Sequence, residues 1–311
     1  MRVPALALLL CAMGVASLLA SFPGTAQAQM GGMRGRYGPR YGDAQDFVGL
    51  NFMDVEPAAV HSPAPGERGT LQSQETRAFV SVPVWGRGTD TIWMAGVSAE
   101  DLRLHFAGFS PALAPALVSQ IYGAGLSGSV YHRMDEGHAW LAYLATGEFS
   151  DGWFPAGRER TFGAAIWQAR ISPSSTFGLG AGFTYVFGEP RGVPIVTYAY
   201  QDGPWAANIR FPFRGDVRYS LSPWVRVGAE TLVQGGEFSV RDPAASVDAV
   251  RYTTQLAGVL LAIGPARGPQ LQLDAGTTLY RHYTALDNGD TVLSLGFKNA
   301  AFYRIGAAVR F

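Results

Sequence analysis

The chain of 311 residues has a single cysteine, Cys11, and that residue falls inside an N-terminal apolar run. Met1 and Arg2 precede the run from Leu6 to Ala20, and Ala26-Gln27-Ala28 supplies a small-x-small cleavage pattern. Residues 1–28 therefore read as a secretory signal peptide. Cys11 follows Leu10 and not a small residue, which argues against a lipoprotein cleavage box. The exported chain then holds no cysteine, so disulfides and thiolate metal sites drop out of its design.

Long apolar runs are missing as well. After the leader, stretches such as Leu256 to Ile263 fall far short of the roughly 20 residues that a membrane helix needs. Any part that crosses a membrane must be a closed barrel, the other structure that satisfies its own backbone hydrogen bonds inside lipid. Charge is scarce too: 15% of residues are charged and the formal net charge is zero, whereas 39 residues are glycine. That is little charge for a soluble protein of this size, and the balance gives no reason to expect a nucleic-acid partner.

What is present is alternation. In Thr176 to Phe187, Phe177, Leu179, Ala181, Phe183, Tyr185 and Phe187 alternate with Thr176, Gly178, Gly180, Gly182, Thr184 and Val186. One face is apolar with aromatics at both ends, and the other is nearly all small. Trp224 to Gln234 repeats the arrangement with Val225, Val227, Ala229, Thr231 and Val233 on one face. Gln270 to Tyr280 does so with Leu271, Leu273, Ala275, Thr277 and Leu279. Less regular segments of the same character run from Phe47–Val55 through Tyr252–Ile263, and a short pair, Trp205–Phe211 and Asp216–Leu221, flanks Pro212 and Phe213.

The connectors alternate in length. Turns near residues 86–88, 134–137, 172–175, 201–204, 222–223 and 264–269 are short and fall on one side. Segments around 56–70, 107–118, 151–158, 241–248 and 285–298 are longer and fall on the other. Short periplasmic turns with longer outer loops are the asymmetry expected of membrane barrels. The reading is an all-β, up-and-down antiparallel transmembrane β-barrel of about 12–14 strands over residues 46–311. Residues 29–45, rich in Gly, Arg, Met and Tyr without a period, read as a disordered leader. Pro111 to Val118 is a helix-like piece that caps an outer loop or folds into the mouth. A soluble β-sandwich also alternates, but strands of ten or more residues are not its habit; a helical fold lacks any sustained 3.6-residue period.

The last stretch, Ala301 to Phe311, alternates Tyr303, Ile305, Ala307 and Val309 with Arg304, Gly306 and Arg310. Ending on an aromatic residue, it resembles the closing strand of bacterial outer-membrane β-barrels, which the barrel-assembly machinery reads as a sorting signal. The segments Phe183 to Pro190, Val193-Pro194-Ile195, Trp205 to Pro212 and Val217 to Ser222, with the ending at Phe311, resemble an uncharacterised family of bacterial outer-membrane β-barrel proteins. The likeness runs from about residue 46 to the end and implies a barrel, an outer-membrane location and contact with outer-membrane lipid. It implies no catalytic or ligand-binding residue. Phe311, Val309 and Tyr303 are the candidates for the assembly signal.

If the apolar stripe faces lipid, the other stripe faces the lumen. That stripe holds Arg210, Arg218, Arg226, Glu230, Asp274, Arg304 and Arg310. Opposite charges across adjacent strands form either a structural ionic ladder or a pore lining biased to anions by its arginine excess. The glycines at 178, 180 and 182 suggest a wall closely approached, for instance by an inward loop. Trp85, Trp205, Trp224, Tyr283 and Tyr303 fall near strand ends as girdle residues. His132, Glu136 and His138 gather at a hairpin in no established metal-ligand spacing. Gly125-Leu126-Ser127-Gly128 lacks the pattern and context of a nucleophile elbow. No cofactor site is expected. The function expected is a non-enzymatic one, passive passage of a small solute not identified by the sequence, or a structural role in the envelope. The alternatives are a membrane-embedded lipid-modifying enzyme and a soluble all-β binding protein.

Overall fold

The computed structural model describes residues 46–61, 68–87, 90–152, 159–187, 190–242 and 245–310. The expected signal peptide, leader and Phe311 lie outside the described residues. Fifteen strands follow one another: β1 (Asp46–Ala59), β2 (Thr70–Arg87), β3 (Thr91–Ala107), β4 (Gln120–Arg133), β5 (His138–Ser150), β6 (Glu159–Ser172), β7 (Ser175–Thr184), β8 (Arg191–Asp202), β9 (Trp205–Phe211), β10 (Arg214–Ser220), β11 (Val225–Ser239), β12 (Ala249–Ile263), β13 (Gly268–Asp287), β14 (Asp290–Gly296) and β15 (Ala301–Arg310). Each pairs antiparallel with the next through β13, and β15 closes the sheet by pairing with both β13 and β1. β14 and β15 lie end to end along β13, β14 against residues 282–287 and β15 against residues 268–277. They make one interrupted wall strand, so the wall is a closed antiparallel barrel of 14 strands with one extra segment.

The even count is the one required to return both ends of the wall to the same rim. The short pair β9 and β10 and the first strand all belong to the wall. Residues 285–298, expected as an outer loop, instead carry the β13 hairpin upward. Asn288 and Gly289 turn it with φ of 52° and 88°, the left-handed pair that a two-residue hairpin turn demands and that Asn-Gly supplies at least cost.

The outer wall is apolar. Leu50, Trp93, Val97, Leu126, Leu144, Leu179, Phe183, Val217, Val259, Leu271 and Ile305 are all exposed, as an exterior made to stand in hydrocarbon requires. Trp85, Trp140, Trp205 and Trp224 are exposed toward the short-turn end. Higher up the outer face turns polar. Asp54 accepts from Gln72 Nε2 at 3.1 Å and from the Tyr303 hydroxyl at 2.7 Å, and Arg103 donates to Asp101 at 2.8 Å. That belt marks the upper edge of the apolar band, and strands continue beyond it.

Above the belt the barrel narrows. Ser239 at the top of β11 bridges Ser150 at the top of β5 in parallel, so β1–β5 and β11–β14 close into a turret while β6–β10 stop lower. Phe149 meets Phe238 edge-on, with ring centres 6.2 Å apart, across that seam. The turret is filled by an apolar core that includes Val55, Leu71, Leu102, Leu104, Ile121, Val250, Leu256, Tyr283 and Leu295. Among the described residues none of the core residues comes from β6–β10. The sequence reading places Pro111 to Val118 as a cap or in the mouth. Pro111–Ala116 is a 3-10 helix there, with Ala116 and Val118 in the core. The Tyr283 hydroxyl donates to Ala116 O at 2.7 Å and accepts from Val118 N at 3.0 Å.

Tyr283 is therefore not a girdle residue. Gln255 pairs with Tyr280 and Leu256 with Thr278, leaving Leu279 as an extra residue. That bulge inverts the alternation for the rest of β13, sending Arg281 and Tyr283 inward. The approach to Gly178, Gly180 and Gly182 also has a different source from the one expected. A Cβ at Gly180 would lie 2.2 Å from Ala165 O, and one at Gly178 would lie 2.4 Å from Thr197 Oγ1. The neighbouring strands β6 and β8 fill that space.

Candidate functional site

Register decides which side chains meet inside. On β2 the inward positions Glu75 and Arg77 oppose Leu102 and Glu100 of β3. On β10 Asp216 opposes Glu230 of β11, and on β13 Asp274 opposes Arg304 of β15. Below the turret core these residues form an ionic layer. Arg304 Nε donates to Asp274 at 2.7 Å, and its other arm pairs with Glu230. Arg218 Nε lies 2.8 Å from Asp216. Arg77 spans Glu75 at 3.1 Å and Glu100 at 2.8 Å. Arg214 stands 3.5 Å from both Asp216 and Glu230.

Of the charged residues singled out in the sequence, Arg218, Glu230, Asp274 and Arg304 thus come together. Arg210 shares their face and sits directly opposite Arg214. Arg226 lies lower, its guanidinium donating to Gly264 O at 3.2 Å in the β12–β13 turn. Arg310 pairs through its backbone with Asp46 and Gly268 at the lower rim, and its side chain lies outside what the structure describes. Tyr303 and Val309 occupy the outward register of β15, opposite Asp54 and Val48.

Sequence reasoning missed Glu75, Arg77, Glu100, Arg214 and Asp216. The available signal was their spacing of two residues, Glu75/Arg77 and Arg214/Asp216/Arg218, which puts opposite charges on one face of a strand. It missed a second cluster too. Arg160 Nη2 donates to Glu237 at 3.0 Å, and Arg251 Nε donates to the other oxygen of Glu237 at 3.0 Å. This triad joins the top of β6 to the turret. Arg281, fully buried, donates to the Tyr252 hydroxyl at 3.0 Å and to Leu71 O at 2.9 Å, with the Phe297 ring 5.8 Å away. A buried guanidinium needs such partners, and here it braces the turret floor.

The interior is wet on one side only. On β12, β13 and β15 the inward residues Leu260, Ala262, Thr278 and Phe302 are buried. On β5 and β6 the inward Tyr143 and Phe162 stay 38% and 37% exposed although they point into the barrel. Their rings meet at 5.6 Å with a 45° tilt. Arg210 on β9 is exposed too. Water therefore reaches the interior along β2 and β5–β10, beside the ionic layer. A concavity of about 710 Å³ lies elsewhere. Val217, Val227, Ala229, Val259, Leu273 and Ala275 line it from the outer wall, so it faces lipid and not the lumen.

The chain is similar in structure to outer-membrane barrels. One is the COG4313 outer membrane channel from Pseudomonas putida F1, at 12% identity and a TM-score of 0.43, covering 88% of this chain and 99% of that one. Another is the translocator domain of the autotransporter NalP from Neisseria meningitidis, at 12% identity and 0.38, covering 96% and 99%. A third is the KdgM porin, at 9% identity and 0.36, covering 85% and 99%. No protein-family model and no curated protein matches the sequence. Likeness at this level says nothing of what the present chain carries.

At the hairpin of the histidines, His138 Nδ1 lies 2.9 Å from Asp135 and its ring stacks on Trp167 at 5.5 Å. His132 Nδ1 bonds Thr91 Oγ1 at 2.8 Å. Among the described residues no three His, Cys, Asp or Glu side chains group as a metal site. The Asp135 carboxyl accepts from the amides of Gly137 at 2.7 Å and His138 at 2.8 Å. The Gly137 bond, ahead of the His138 ring, holds its pKa below the usual aspartate value.

Proposed function

We propose that this chain is an outer-membrane β-barrel that passes small solutes passively along the wet side of its interior. The observation that carries the reading is the exposure of Tyr143, Phe162 and Arg210 inside a closed wall whose exterior is apolar. Side chains that turn inward and still meet water line a cavity, and a charged cavity in a lipid-facing wall is the architecture of a solute path. The turret core blocks the axis, so the path runs off-axis, beside the turret and under the lower tops of β6–β10. Its roof is formed by the Phe187–Phe213 ring pair, with centres 6.0 Å apart, and by the Arg160–Glu237–Arg251 triad.

Outer-membrane residence and delivery by the barrel-assembly machinery belong to the same proposal. Tyr303 and Val309 on the outer face of β15, with Phe311, make the assembly signal. Removal of Phe311 lowers outer-membrane yield while export continues; an unchanged yield removes that role.

A second reading, a sealed structural barrel, is favoured by the packed turret. Planar bilayers discriminate. Purified protein inserting with stepwise, salt-dependent conductance supports the pore. Heat-modifiable protein that incorporates into bilayers and never conducts supports the sealed barrel.

A further inference from the structure

The ionic layer is not neutral to whatever approaches it from the wet side. Three of its carboxylates lie at the bottom: the Asp216, Glu230 and Asp274 side chains are 1%, 2% and 0% exposed, while Glu75 and Glu100, at 10% and 15%, flank Arg77. Two of its cations, Arg77 and Arg214, reach water at 40% and 39%, while Arg218 and Arg304 stay at 6% and 12%. The buried acids are already held at closer range by Arg218 and Arg304 than by Arg214, which reaches both only at 3.5 Å. Arg214 also stands directly opposite Arg210 across β9 and β10. Like charges at opposed positions of a ladder repel. Both guanidiniums are accessible to water here.

A second element faces this cationic surface. Tyr143 lies within the electrostatic field of both Arg77 and Arg210, and its ring is tilted against Phe162. Three guanidiniums from β2, β9 and β10 thus share one wet space with an exposed aromatic pair from β5 and β6. Guanidiniums bind carboxylates through two parallel N–H donors, and half-exposed rings receive an apolar body.

The geometry points to a binding site for a small organic anion, with Arg77, Arg210 and Arg214 holding its carboxylate and the Tyr143–Phe162 pair receiving its apolar body. The site rests on the pore reading and specifies what that pore selects. A bare oxyanion such as inorganic phosphate gains only the arginines, and a neutral aromatic gains only the rings. Benzoate engages both.

The test is calorimetric titration of the purified protein in detergent, with benzoate, acetate, benzamide and inorganic phosphate as probes. Benzoate is expected to bind saturably and more tightly than acetate, phosphate or benzamide. Arg210→Gln combined with Arg214→Gln weakens it about tenfold or more, the scale of one lost charge-assisted contact. Tyr143→Ala combined with Phe162→Ala weakens benzoate and leaves acetate unchanged. Heat-modifiable gel migration checks each variant's fold. If the glutamine pair does not fold, Arg210→Lys with Arg214→Lys keeps the charge, loses the two-pronged contact and still weakens benzoate. Benzamide binding as tight as benzoate, benzoate binding unaffected by either arginine pair in folded protein, or no saturable benzoate binding overturns the site. Bilayer recordings separate the two claims. Conductance without benzoate binding sinks the site and leaves the pore; benzoate binding without conductance does the reverse.

Discussion

Leu279 and Tyr280 are neighbours in the chain, yet both point outward from β13 and both are exposed. A strand without a bulge alternates, so one of them is extra. Everything above that point depends on it. Arg281, Tyr283 and Ala285 reach the turret core only because the face inverts there.

The bulge therefore predicts an asymmetry between deletion and insertion. Deleting Leu279 removes the extra residue and leaves Tyr280 opposite Gln255 and Arg281 opposite Thr254, so the deletion variant is expected to assemble with little change in heat-modifiable migration. Inserting one alanine between Tyr280 and Arg281 turns Arg281 to the outside and His282 to the core, and is expected to abolish assembly. Failure of the deletion variant, or normal folding of the insertion variant, contradicts the bulge.

Tyr283 ties the 3-10 helix into the barrel mouth. Tyr283→Phe removes the hydroxyl that serves Ala116 O and Val118 N, a cost of about 1–3 kcal/mol for groups left buried and unpaired. The expected result is an assembled barrel whose segment 108–119 is cut by added protease at a rate well above that of the wild type. Equal protection means that the apolar contacts of Ala116 and Val118 hold the segment without the hydroxyl.

Arg304 holds two buried acids at once. Arg304→Gln leaves Asp274 and Glu230 facing each other without their shared cation, and breaking a buried pair costs about 3–5 kcal/mol. The temperature at which the folded band converts to the unfolded band on gels should fall clearly. Adding Glu230→Gln and Asp274→Asn to that variant should restore part of the loss; no restoration means that Arg304 acts through packing alone.

The turn at Asp135 gives a pH dependence of known sign. Its carboxyl is held below the ordinary aspartate range by the Gly137 amide and then by the His138 ring, so the bonds stabilise the turn above the unfolded-state pKa near ~4 and are lost as pH falls through the lower folded value. Exchange protection of the Gly137 and His138 amides, corrected for intrinsic rates, should be flat from about pH 5 upward and fall below it. Asp135→Asn should remove the transition. A profile without a transition in the wild-type protein would contradict it.

The wall was legible in the sequence because its rule is local. Phe177, Leu179 and Phe183, or Val225, Val227 and Ala229, announce a two-residue period without reference to any neighbour, and the short turns fall where the glycines and prolines stand. The faces of Arg218, Glu230, Asp274 and Arg304 followed from the same parity. Tyr283 did not, because one uncompensated residue at Leu279 changes the parity and leaves no mark in composition. The turret was equally hidden. It depends on Ser239 meeting Ser150, residues 89 apart in sequence, and the 285–298 segment read as a loop because β14, beyond its Asn-Gly turn, has only 7 residues, too few to show a period. The ionic layer was half visible for a related reason: alternation gives the face of a charge but not its depth along the barrel, and depth decides which charges meet.

The proposed barrel has one defining arrangement, hydrocarbon outside the wall and water with ions within. Cys11 is the one cysteine of the sequence, so in a Cys11→Ser background single cysteines introduced one at a time from Ala206 to Phe211 can each be spin-labelled in the reconstituted protein. Labels at Ala207, Ile209 and Phe211 should be relaxed by oxygen dissolved in the bilayer, and those at Ala206, Asn208 and Arg210, on the wet side of the interior, by a water-soluble nickel chelate. The opposite assignment, or no alternation between the two sets, would contradict it.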